Sequence, residues 1–321
     1  MKEQEFHYDL IGDIHGRHDK LERLMNRLGY EKQGAGYRAP EGRKVLFLGD
    51  LIDPKPGHAI PDGVRRTLHT VKAMCDDGQA LCLMGNHEFN AMAFHARGPD
   101  GAPLRRHDKN NVRMHQGTLD DFPGHEEPHG EWRALWLPWL GGLPLYLDLG
   151  PLRAVHACWH PEGIGRLKGI DLKNAEVLTE AANESSELGA SVKAVLKGIE
   201  VRLPQGVSYQ DEMGSKRRKF RARWWERPEP GATYRQLSFP DSEQIPGTPL
   251  AEAALELIRP HAEDAPPVFF GHYFKPANAP LLPERDNVAC LDHGAGKDGP
   301  LVAYRWQGEA TLTPDHYVAQ V

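Results

Sequence analysis

The chain has 321 residues, of which 40% are hydrophobic and 26% charged, a composition typical of a globular protein with a sizeable buried core. A formal net charge of -6 gives no overall attraction to nucleic acid or to anionic membranes. No apolar run approaches the roughly 20 residues of a membrane helix, and the four cysteines are scattered without a CxxC pair. We therefore expect reduced thiols, a cytoplasmic location and no membrane partner.

The first half of the chain alternates short apolar runs with stretches of helical spacing. Each apolar run stops at a glycine and is followed by a helix, which indicates buried strands in βαβ units. The runs are 8–11, 45–48 and 80–84, and helices are predicted after them at 20–28, 63–75 and 88–95. In open sheets of this kind, ligands bind just beyond the carboxyl ends of the strands.

The rest of the chain is less regular, and we interpret the whole of 1–321 as one domain. Residues 97–131 are polar and rich in Gly, Pro and His, which predicts a loop or a small insertion. Further helices are predicted at 132–140, 168–202 and 250–258, and strands at 143–149, 152–157, 268–270, 288–291 and 301–306. The segment 168–249 is either a cap over a site or a packed extension of the core.

Polar side chains stand at five of the predicted strand ends. The five stretches are Gly12-Asp13-Ile14-His15-Gly16, Gly49-Asp50-Leu51-Ile52-Asp53, Gly85-Asn86-His87-Glu88, Val155-His156-Ala157 and Gly271-His272-Tyr273. Carboxylate, imidazole and amide oxygen together suit divalent Mn, Fe or Zn. Two such ions about 3.5–4 Å apart need a shared ligand, and a carboxylate provides one. Such a pair of ions activates a water and holds phosphoryl oxygens.

Taken singly, each of these stretches has a purely structural interpretation. An isolated Gly-Asp is usually a turn, and an isolated buried histidine is usually a core residue whose hydrogen bonds are satisfied. Five such stretches in order, at successive predicted strand ends, favour a metal site instead.

The motifs GDxHG, GDxxD and GNHE are present at Asp13, Asp50 and Asn86, and with them the chain resembles the calcineurin-like metallophosphoesterases. Within that superfamily it is similar to the phosphoprotein phosphatase branch, which has bacterial members. The resemblance covers residues 10–157 and 269–295. It implies an α/β fold, a four-layer α/β/β/α sandwich, with a binuclear metal site at the carboxyl ends of the strands.

The resemblance also implies a role for each matching residue. Asp13 and His15 would hold the first metal, and Asp50 would bridge the two ions. The second metal would be held by Asn86, His156 and His272. The cofactors implied are two divalent ions, Mn, Fe or Zn, and Mn is the ion that we expect to support activity in vitro.

His87 resembles the general acid of the family, the group that protonates the leaving oxygen. Asp53 would pair with it and keep it protonated, because a carboxylate partner raises the pKa of a histidine. An alternative within such families is that this histidine only orients the phosphate.

Two details of the motifs indicate which branch of the superfamily, and which class of substrate, the chain fits best. Many metallophosphoesterases carry GHxH, whose last histidine also binds metal, whereas Phe274 stands at that position here and cannot ligate. Bacterial diadenosine tetraphosphatases of the same branch typically lack the aspartate present here as Asp53, so its presence favours a phosphomonoester substrate.

The cationic residues expected to bind the phosphate differ from the family pattern. An arginine usually follows GDxxD, but this chain continues with Pro54 and Lys55. Lys55 is expected to replace the arginine as a substrate-binding point charge, although lysine lacks the bidentate fork of arginine. The basic, aromatic run 216–225 offers replacement cations: if it is extended, Lys219, Arg221 and Arg223 share one face that can reach the site, and Arg221 and Arg223 are predicted to bind substrate. A solvated charge run is an equal alternative, while the overall acidity disfavours a nucleic-acid groove.

Two further groups of polar residues are expected outside the ligand set. Asp292 and His293 are candidates to orient a metal-binding histidine from behind. The histidines of the polar insertion are expected at the surface or on a rim that selects substrate; they are His107, His115, His125 and His129.

The predicted function is therefore that of a metal-dependent phosphoesterase that hydrolyses phosphate monoesters with a metal-activated water. The expected partner is a phosphorylated substrate, either a protein carrying phosphorylated Ser, Thr or Tyr or a small molecule. One alternative is a hydrolase acting on dinucleoside polyphosphates, nucleotides or nucleic-acid ends. Another is a metal-binding scaffold without activity, which the complete motif set disfavours.

Overall fold

The structure is a computed structural model that describes residues 7–210, 214 and 216–320. The domain prediction, which covers 1–321, therefore includes residues 1–6, 211–213, 215 and 321, which lie outside the described part. None of the helices in the described ranges has the length and apolar character needed to cross a bilayer.

Within these ranges, strands and helices alternate through the first half of the chain, as predicted. The strands are β1 (His7–Ile11), β2 (Glu31–Gln33), β3 (Gly36–Arg38), β4 (Arg43–Phe47), β5 (Ala80–Cys82), β6 (Tyr146–Asp148), β7 (Arg153–Val155), β8 (Glu200–Arg202), β9 (Tyr209–Gln210), β10 (Lys216–Arg217), β11 (Lys219–Ala222), β12 (Ser238–Phe239), β13 (Val268–Phe270), β14 (Val288–Cys290), β15 (Leu301–Trp306) and β16 (Tyr317–Gln320). The helices are α1 (His18–Leu28), α2 (Gly63–Asp76), α3 (Asn86–His95), α4 (Lys109–Asp121), α5 (Leu137–Leu140), α6 (Pro161–Arg166), α7 (Ala175–Ala182), α8 (Glu187–Lys197) and α9 (Glu252–Leu255).

Two mixed sheets form the centre of the molecule. The first has the order β16-β15-β1-β4-β5, in which β1, β4 and β5 run parallel. The second has the order β14-β13-β7-β6, in which β14, β13 and β7 run parallel. Because parallel strands present their carboxyl ends at one edge, each sheet gathers the residues that follow these strands.

The sheets pack face to face through a shared apolar layer. Leu10 and Leu46 of the first sheet belong to the same buried cluster as Phe269 and Ala289 of the second. On the other face of the first sheet, side chains such as Phe47 pack with α1 and α2, and a matching layer covers the second sheet, where Trp224 contacts Phe270. The predicted four-layer α/β/β/α sandwich is confirmed.

The segment 97–131, predicted as a loop or small insertion, contains the helix α4. Asp108 caps it, because its side chain accepts hydrogen bonds from the backbone of Asn110 and Asn111. The buried positions of this helix are His115, Thr118 and Leu119. Two of the three are polar, so the helix lacks the apolar stripe by which sequence patterns are recognised.

The segment 168–249 has two parts. Helices α7 and α8 pack on each other, and the backbone of Ala157, which follows β7, donates to Val195 of α8. Strands β8, β11 and β12 then form a small antiparallel sheet with its own core, which includes Phe220 and Leu237. The segment thus combines helices packed on the central core with a second small core.

Candidate metal centre

The polar residues at the predicted strand ends meet at one edge of the sandwich. Each follows the carboxyl end of a parallel strand: Asp13 and His15 follow β1, Asp50 and Asp53 follow β4, Asn86 and His87 begin α3 after β5, His156 follows β7, and His272 follows β13. The side chains of all eight residues are buried or nearly so.

Four of these residues adopt a left-handed backbone conformation, which non-glycine residues rarely adopt. Their φ angles are 50° for His15, 50° for Asp50, 60° for Asp53 and 62° for His272. Unfavourable backbone conformations of this kind cluster at functional sites, where the surrounding structure holds them in place. The sharp turns let side chains from neighbouring strands point at a common centre.

Asp50 lies at the middle of two overlapping groups of ligand atoms. One group is His15, Asp50 and His87, the other is Asp50, His156 and His272, and within each group the ligand atoms lie within 4.8 Å of one another. The Oδ2 atom of Asp50 is 3.7 Å from Nε2 of His15, and its Oδ1 atom is 3.4 Å from Nε2 of His156. A carboxylate with one group on each oxygen is suited to bridge two ions.

Backbone carbonyls fix the orientation of two of the imidazole rings. Nδ1 of His15 lies 3.0 Å from the carbonyl oxygen of Ile52, and Nδ1 of His156 lies 2.7 Å from that of Leu48. A carbonyl only accepts, so both Nδ1 atoms donate, and in the neutral form of each ring Nε2 offers its lone pair to a ligand. Hydrogen bonds of this kind orient metal-binding histidines. Nε2 of His156 also lies 3.1 Å from Oδ1 of Asn86.

The charges in the cluster favour a bound cation. Burial, together with the nearby carboxylates of Asp292 and Asp50, raises the pKa of Asp13 well above its usual range. Burial also lowers the pKa of His272 well below its usual range, with a further contribution from Arg221, so this ring is neutral. Its Nε2 atom is buried without a hydrogen-bond partner in the described part of the chain. Crowded carboxylates and an unpartnered imidazole nitrogen fit a divalent ion.

His87 links this cluster to Asp53. Its Nδ1 atom is 2.7 Å from Oδ2 of Asp53, and its Nε2 atom is 3.9 Å from Oδ2 of Asp50. Its backbone N–H also donates to Oδ1 of Asp50 at 2.9 Å. The ring therefore presents Nε2 to the centre of the cluster while a buried carboxylate holds Nδ1, the contact expected between Asp53 and His87.

Asp53 has a second histidine partner that the sequence analysis missed. Nδ1 of His115 lies 2.7 Å from Oδ1 of Asp53, and the hydroxyl of Thr118 donates to the same oxygen at 2.7 Å. Burial raises the pKa of Asp53, but His115 and His87 outweigh it and hold this pKa well below its usual range. The expectation of a surface position for His115 is wrong, because its side chain is buried on the inner face of α4.

The other histidines of the insertion lie nearer to solvent. His107 stacks on Phe94, with ring centroids 3.8 Å apart, and His125 is half-buried. His129 is exposed.

Glu88 is a second residue whose part in the site the sequence did not reveal. Its carboxylate is fully buried and accepts four backbone N–H groups, from Gly85, Asp50, Leu51 and Ile52. It ties the turn after β4 to the start of α3. The only sequence signal was its place as the last residue of GNHE, next to His87.

Lys55 and Arg221, two of the three expected phosphate-binding cations, lie close to the cluster. The charge of Lys55 lowers the pKa of His15, after burial, and also that of Asp13. Arg221, on β11, contributes in the same way at His272, and its guanidinium lies 6.0 Å from the ring centroid of Tyr273.

Arg223, the third expected cation, lies one residue beyond β11. Its side chain is engaged elsewhere, because Nε donates to the carbonyl oxygen of Ser238 at 2.9 Å.

The two residues expected to orient a metal-binding histidine, Asp292 and His293, differ in their contacts. Asp292 neighbours Asp13 closely enough to raise its pKa. Both ring nitrogens of His293 are buried without a hydrogen-bond partner among the described residues.

Residues 6–163 match the model of the family described as calcineurin-like phosphoesterase. The chain belongs to this family. The matched region includes β1, β4, β5 and β7 and therefore seven of the eight strand-end residues, all except His272. The resemblance on the GDxHG, GDxxD and GNHE motifs is confirmed, and with it the assignment to a hydrolase family that uses divalent metals.

Two bacterial tetraphosphatases and one solved phosphatase structure are among the proteins to which this calcineurin-like phosphoesterase is similar. The chain is 40% identical over 80 residues to the asymmetrical bis(5'-nucleosyl)-tetraphosphatase PrpE of Halalkalibacterium halodurans, a stretch that covers 25% of this chain and 30% of that protein. It is 30% identical over 167 residues to PrpE of Geobacillus thermodenitrificans, which covers 50% of this chain and 61% of that protein. The matched stretch thus spans less than two thirds of either relative. A cold-active protein-tyrosine phosphatase from Shewanella sp. superposes with 15% identity and a TM-score of 0.46, over 98% of this chain and 80% of that one.

Proposed function

We propose that this calcineurin-like phosphoesterase hydrolyses phosphate monoesters at a binuclear metal centre. The observation that carries the proposal is the buried pair of His87 and Asp53, 2.7 Å apart, directly beside the ligand cluster around Asp50. A histidine that a carboxylate holds on one nitrogen and that presents the other to the reacting centre is suited to general acid catalysis. Hydrolysis of an ester with a poor leaving group needs such an acid.

The ligands would divide as the motifs predict. Asp13 and His15 would hold one ion, Asn86, His156 and His272 the other, and Asp50 both. Two divalent ions bound there supply an activated water and neutralise charge on the phosphoryl oxygens. We propose Mn as the ion that supports activity in vitro, with Fe and Zn as the alternatives for an oxygen and nitrogen ligand set.

The protein's own groups would then bind the phosphate and move one proton. Lys55, whose charge acts on Asp13 and His15, and Arg221, whose charge acts on His272, would attract the phosphate dianion. His87 donates the proton on Nε2 to the leaving oxygen, while Asp53 holds the Nδ1–H bond and stabilises the charged ring. Arg223 remains a predicted substrate-binding residue and would have to leave Ser238 to take part.

The first test is hydrolysis of phenyl phosphate, whose leaving group needs a general acid, with and without added Mn. We expect turnover that requires the metal and that falls about 100-fold or more in His87→Asn, the range for loss of a general acid. His129→Asn is the matched control, because the same substitution is made at an exposed histidine. A folded, metal-loaded wild type without turnover on any phosphate monoester would contradict the proposal.

Among monoesters, we propose phosphorylated Ser, Thr or Tyr side chains in proteins as the first class to examine. The four cysteines are free and three of them are buried, which fits a reducing compartment, and we propose the cytoplasm as the location. A panel of phosphopeptides and small sugar or aryl phosphates measures the preference. A rate on small monoesters far above that on every phosphopeptide would remove the protein substrate but keep the chemistry.

A second candidate is the hydrolysis of dinucleoside polyphosphates, the substrate class named in the relatives. The observation that favours it is a cavity of ≈ 250 Å³ whose lining includes apolar side chains and the cations Arg105, Arg106, Lys193 and Lys197, the two lysines paired with Glu184. It shares Asn90, Arg105 and Asn111 with the narrow space that borders His87 and Asp53. Cations together with apolar side chains suit a second nucleotide.

A comparison of KM values on two substrates distinguishes monoester hydrolysis from dinucleoside polyphosphate hydrolysis. If the cavity binds the distal nucleotide, Lys197→Gln raises KM for diadenosine tetraphosphate and leaves KM for para-nitrophenyl phosphate unchanged. Lys168→Gln, an exposed lysine that does not line the cavity, is the control. Equal kinetic constants for Lys197→Gln and wild type on both substrates would remove the cavity as a nucleotide site.

A further inference from the structure

The carboxylate of Asp53 is held on both oxygens. Oδ2 accepts from Nδ1 of His87, and Oδ1 accepts from Nδ1 of His115 and from the hydroxyl of Thr118, each at 2.7 Å. The backbone N–H of Asp53 donates back to the same Thr118 oxygen at 2.9 Å. A carboxylate with partners on both oxygens cannot rotate freely, so the direction in which Oδ2 faces His87 is set by α4.

One face of the helix α4 packs against the turn that carries Asp53 and Pro54. His115 and Thr118 contact Asp53, and Gly117 between them lies against Pro54, the next residue. A Cβ atom added to Gly117 would lie 2.5 Å from Cγ of Pro54. Only a residue without a side chain allows this close approach, so the helix is seated directly on the turn that carries Asp53.

We propose that His115 is a positioning residue that acts through Asp53 on His87. This inference rests on the proposed monoester hydrolysis, in which His87 delivers the proton. His115 completes a relay of two histidines on one buried carboxylate, and its charge-assisted hydrogen bond fixes the Oδ2 atom that orients the acid. The ring of His115 does not touch the ligand cluster, so its effect on the reaction is indirect.

Packing alone does not account for a histidine at this position. Nε2 of His115 is buried with no hydrogen-bond partner in the described ranges, so the ring carries a desolvation cost that an apolar side chain of similar size would avoid. The contact of Nδ1 with Asp53 offsets that cost.

The test compares His115→Leu with His115→Asn. Leucine removes the donor but keeps an apolar group of similar volume, whereas the asparagine amide nitrogen can replace Nδ1 as a donor to Asp53. We expect His115→Leu to lower kcat for phenyl phosphate about tenfold, which corresponds to ~1.4 kcal/mol of barrier, with KM unchanged. We expect His115→Asn to recover most of the rate. Gln116→Leu, an exposed neighbour on α4, is the control.

The leaving group distinguishes positioning from a general loss of folded enzyme. Para-nitrophenolate departs with little help from an acid, while phenolate depends on it. His115→Leu should therefore slow phenyl phosphate more than para-nitrophenyl phosphate. Added to Asp53→Asn, the same substitution should cost little more, because its effect passes through the carboxylate. An equal loss on both esters, no loss on either, or full additivity with Asp53→Asn would overturn the proposal.

A second measurement does not depend on turnover. Imidazole N–H protons bound to a buried carboxylate give far-downfield proton resonances in NMR spectra, and we expect two such signals, from His87 and His115. In His115→Leu one signal should vanish and the other should move, because Asp53 is released. A remaining His87 signal at its wild-type position would contradict the relay even if the proposed substrate class were wrong. If His115→Leu does not fold, Thr118→Val is examined instead: both signals should remain and both should move, because Oδ1 of Asp53 loses one of its two side-chain donors, and an unmoved His87 signal would contradict the relay.

Discussion

Glu88 offers the sharpest test of how the site is held together. Its Oε2 atom accepts the backbone N–H groups of Gly85 and Asp50, both at 2.8 Å. Its Oε1 atom accepts those of Leu51 at 2.8 Å and Ile52 at 3.3 Å. Glu88→Gln keeps the shape of the side chain but replaces one oxygen by an NH2 group. Whichever oxygen is replaced, two buried N–H donors then face another donor.

The expected cost follows from these contacts. A buried donor left without an acceptor costs about 1–3 kcal/mol, so two of them lower the free energy of unfolding by about 2–6 kcal/mol. This is a large share of the roughly 5–15 kcal/mol by which a protein is stable. The loss should be largest at the turn after β4, which carries the backbone of Asp50.

The assay is urea unfolding of wild type and Glu88→Gln in the presence of a chelator, so that bound metal does not contribute. Glu127→Gln is the matched control, because it makes the same change at an exposed carboxylate. A second titration with Mn then compares metal affinity, which should fall with the order of the turn. A free energy of unfolding for Glu88→Gln within about 0.5 kcal/mol of the control would refute the reasoning, since surface substitutions vary by that much.

Three further predictions test the metal bridge, a buried histidine and a buried ion pair. Asp50→Asn should lower the metal bound per chain, measured by elemental analysis, and reduce kcat by about 100-fold or more; full metal content would contradict the bridging role. Burial lowers the pKa of His18 from 6.5 to about 4, so the unfolded chain takes up a proton first as the pH falls. The contribution of His18 to the free energy of unfolding should therefore decrease by about 3 kcal/mol as the pH falls from 6.5 to 4. His18→Leu should make the melting temperature less dependent on pH over this range. Asp9→Asn breaks the contacts of the fully buried Asp9 with Arg43 and Arg305 and should cost about 3–5 kcal/mol in urea unfolding; a cost below 1 kcal/mol would show that the arginines find water instead.

The strand ends were predictable because their signal is local. A run of apolar residues, a glycine and a polar residue determine the end of a strand, and the parallel arrangement brings several such ends to one edge. The contact of His87 with Asp53 was expected from the motif resemblance, and the two lie 2.7 Å apart. Family membership and the four-layer fold were predicted from the same motifs.

The contact between His115 and Asp53 could not be predicted from these patterns. The two residues are 62 positions apart. The periodicity of a sequence does not indicate which face of a helix packs against a turn so far away in the chain. The inner face of α4 carries a histidine and a threonine, so it reads as polar and therefore as exposed. Sequence patterns recognise burial by apolar side chains, and they miss a helix whose buried face makes hydrogen bonds.

The basic run was predicted in part. Its extended conformation holds for β11, and Arg221 lies near His272 as expected. Arg223 directly follows β11, and its Nε donates to the carbonyl oxygen of Ser238, a contact with the neighbouring chain segment that no sequence pattern indicated.

The seating of α4 on Asp53 and Pro54 limits how this enzyme scaffold can be altered. Loops around such sites are the usual places to exchange when a new specificity is wanted, and residues 97–131 look suitable for exchange by their composition. Replacing them would also remove His115, Gly117 and Thr118, and with them the support of the proposed acid. A graft that keeps residues 109–121 and varies only the flanking stretches separates substrate choice from proton delivery.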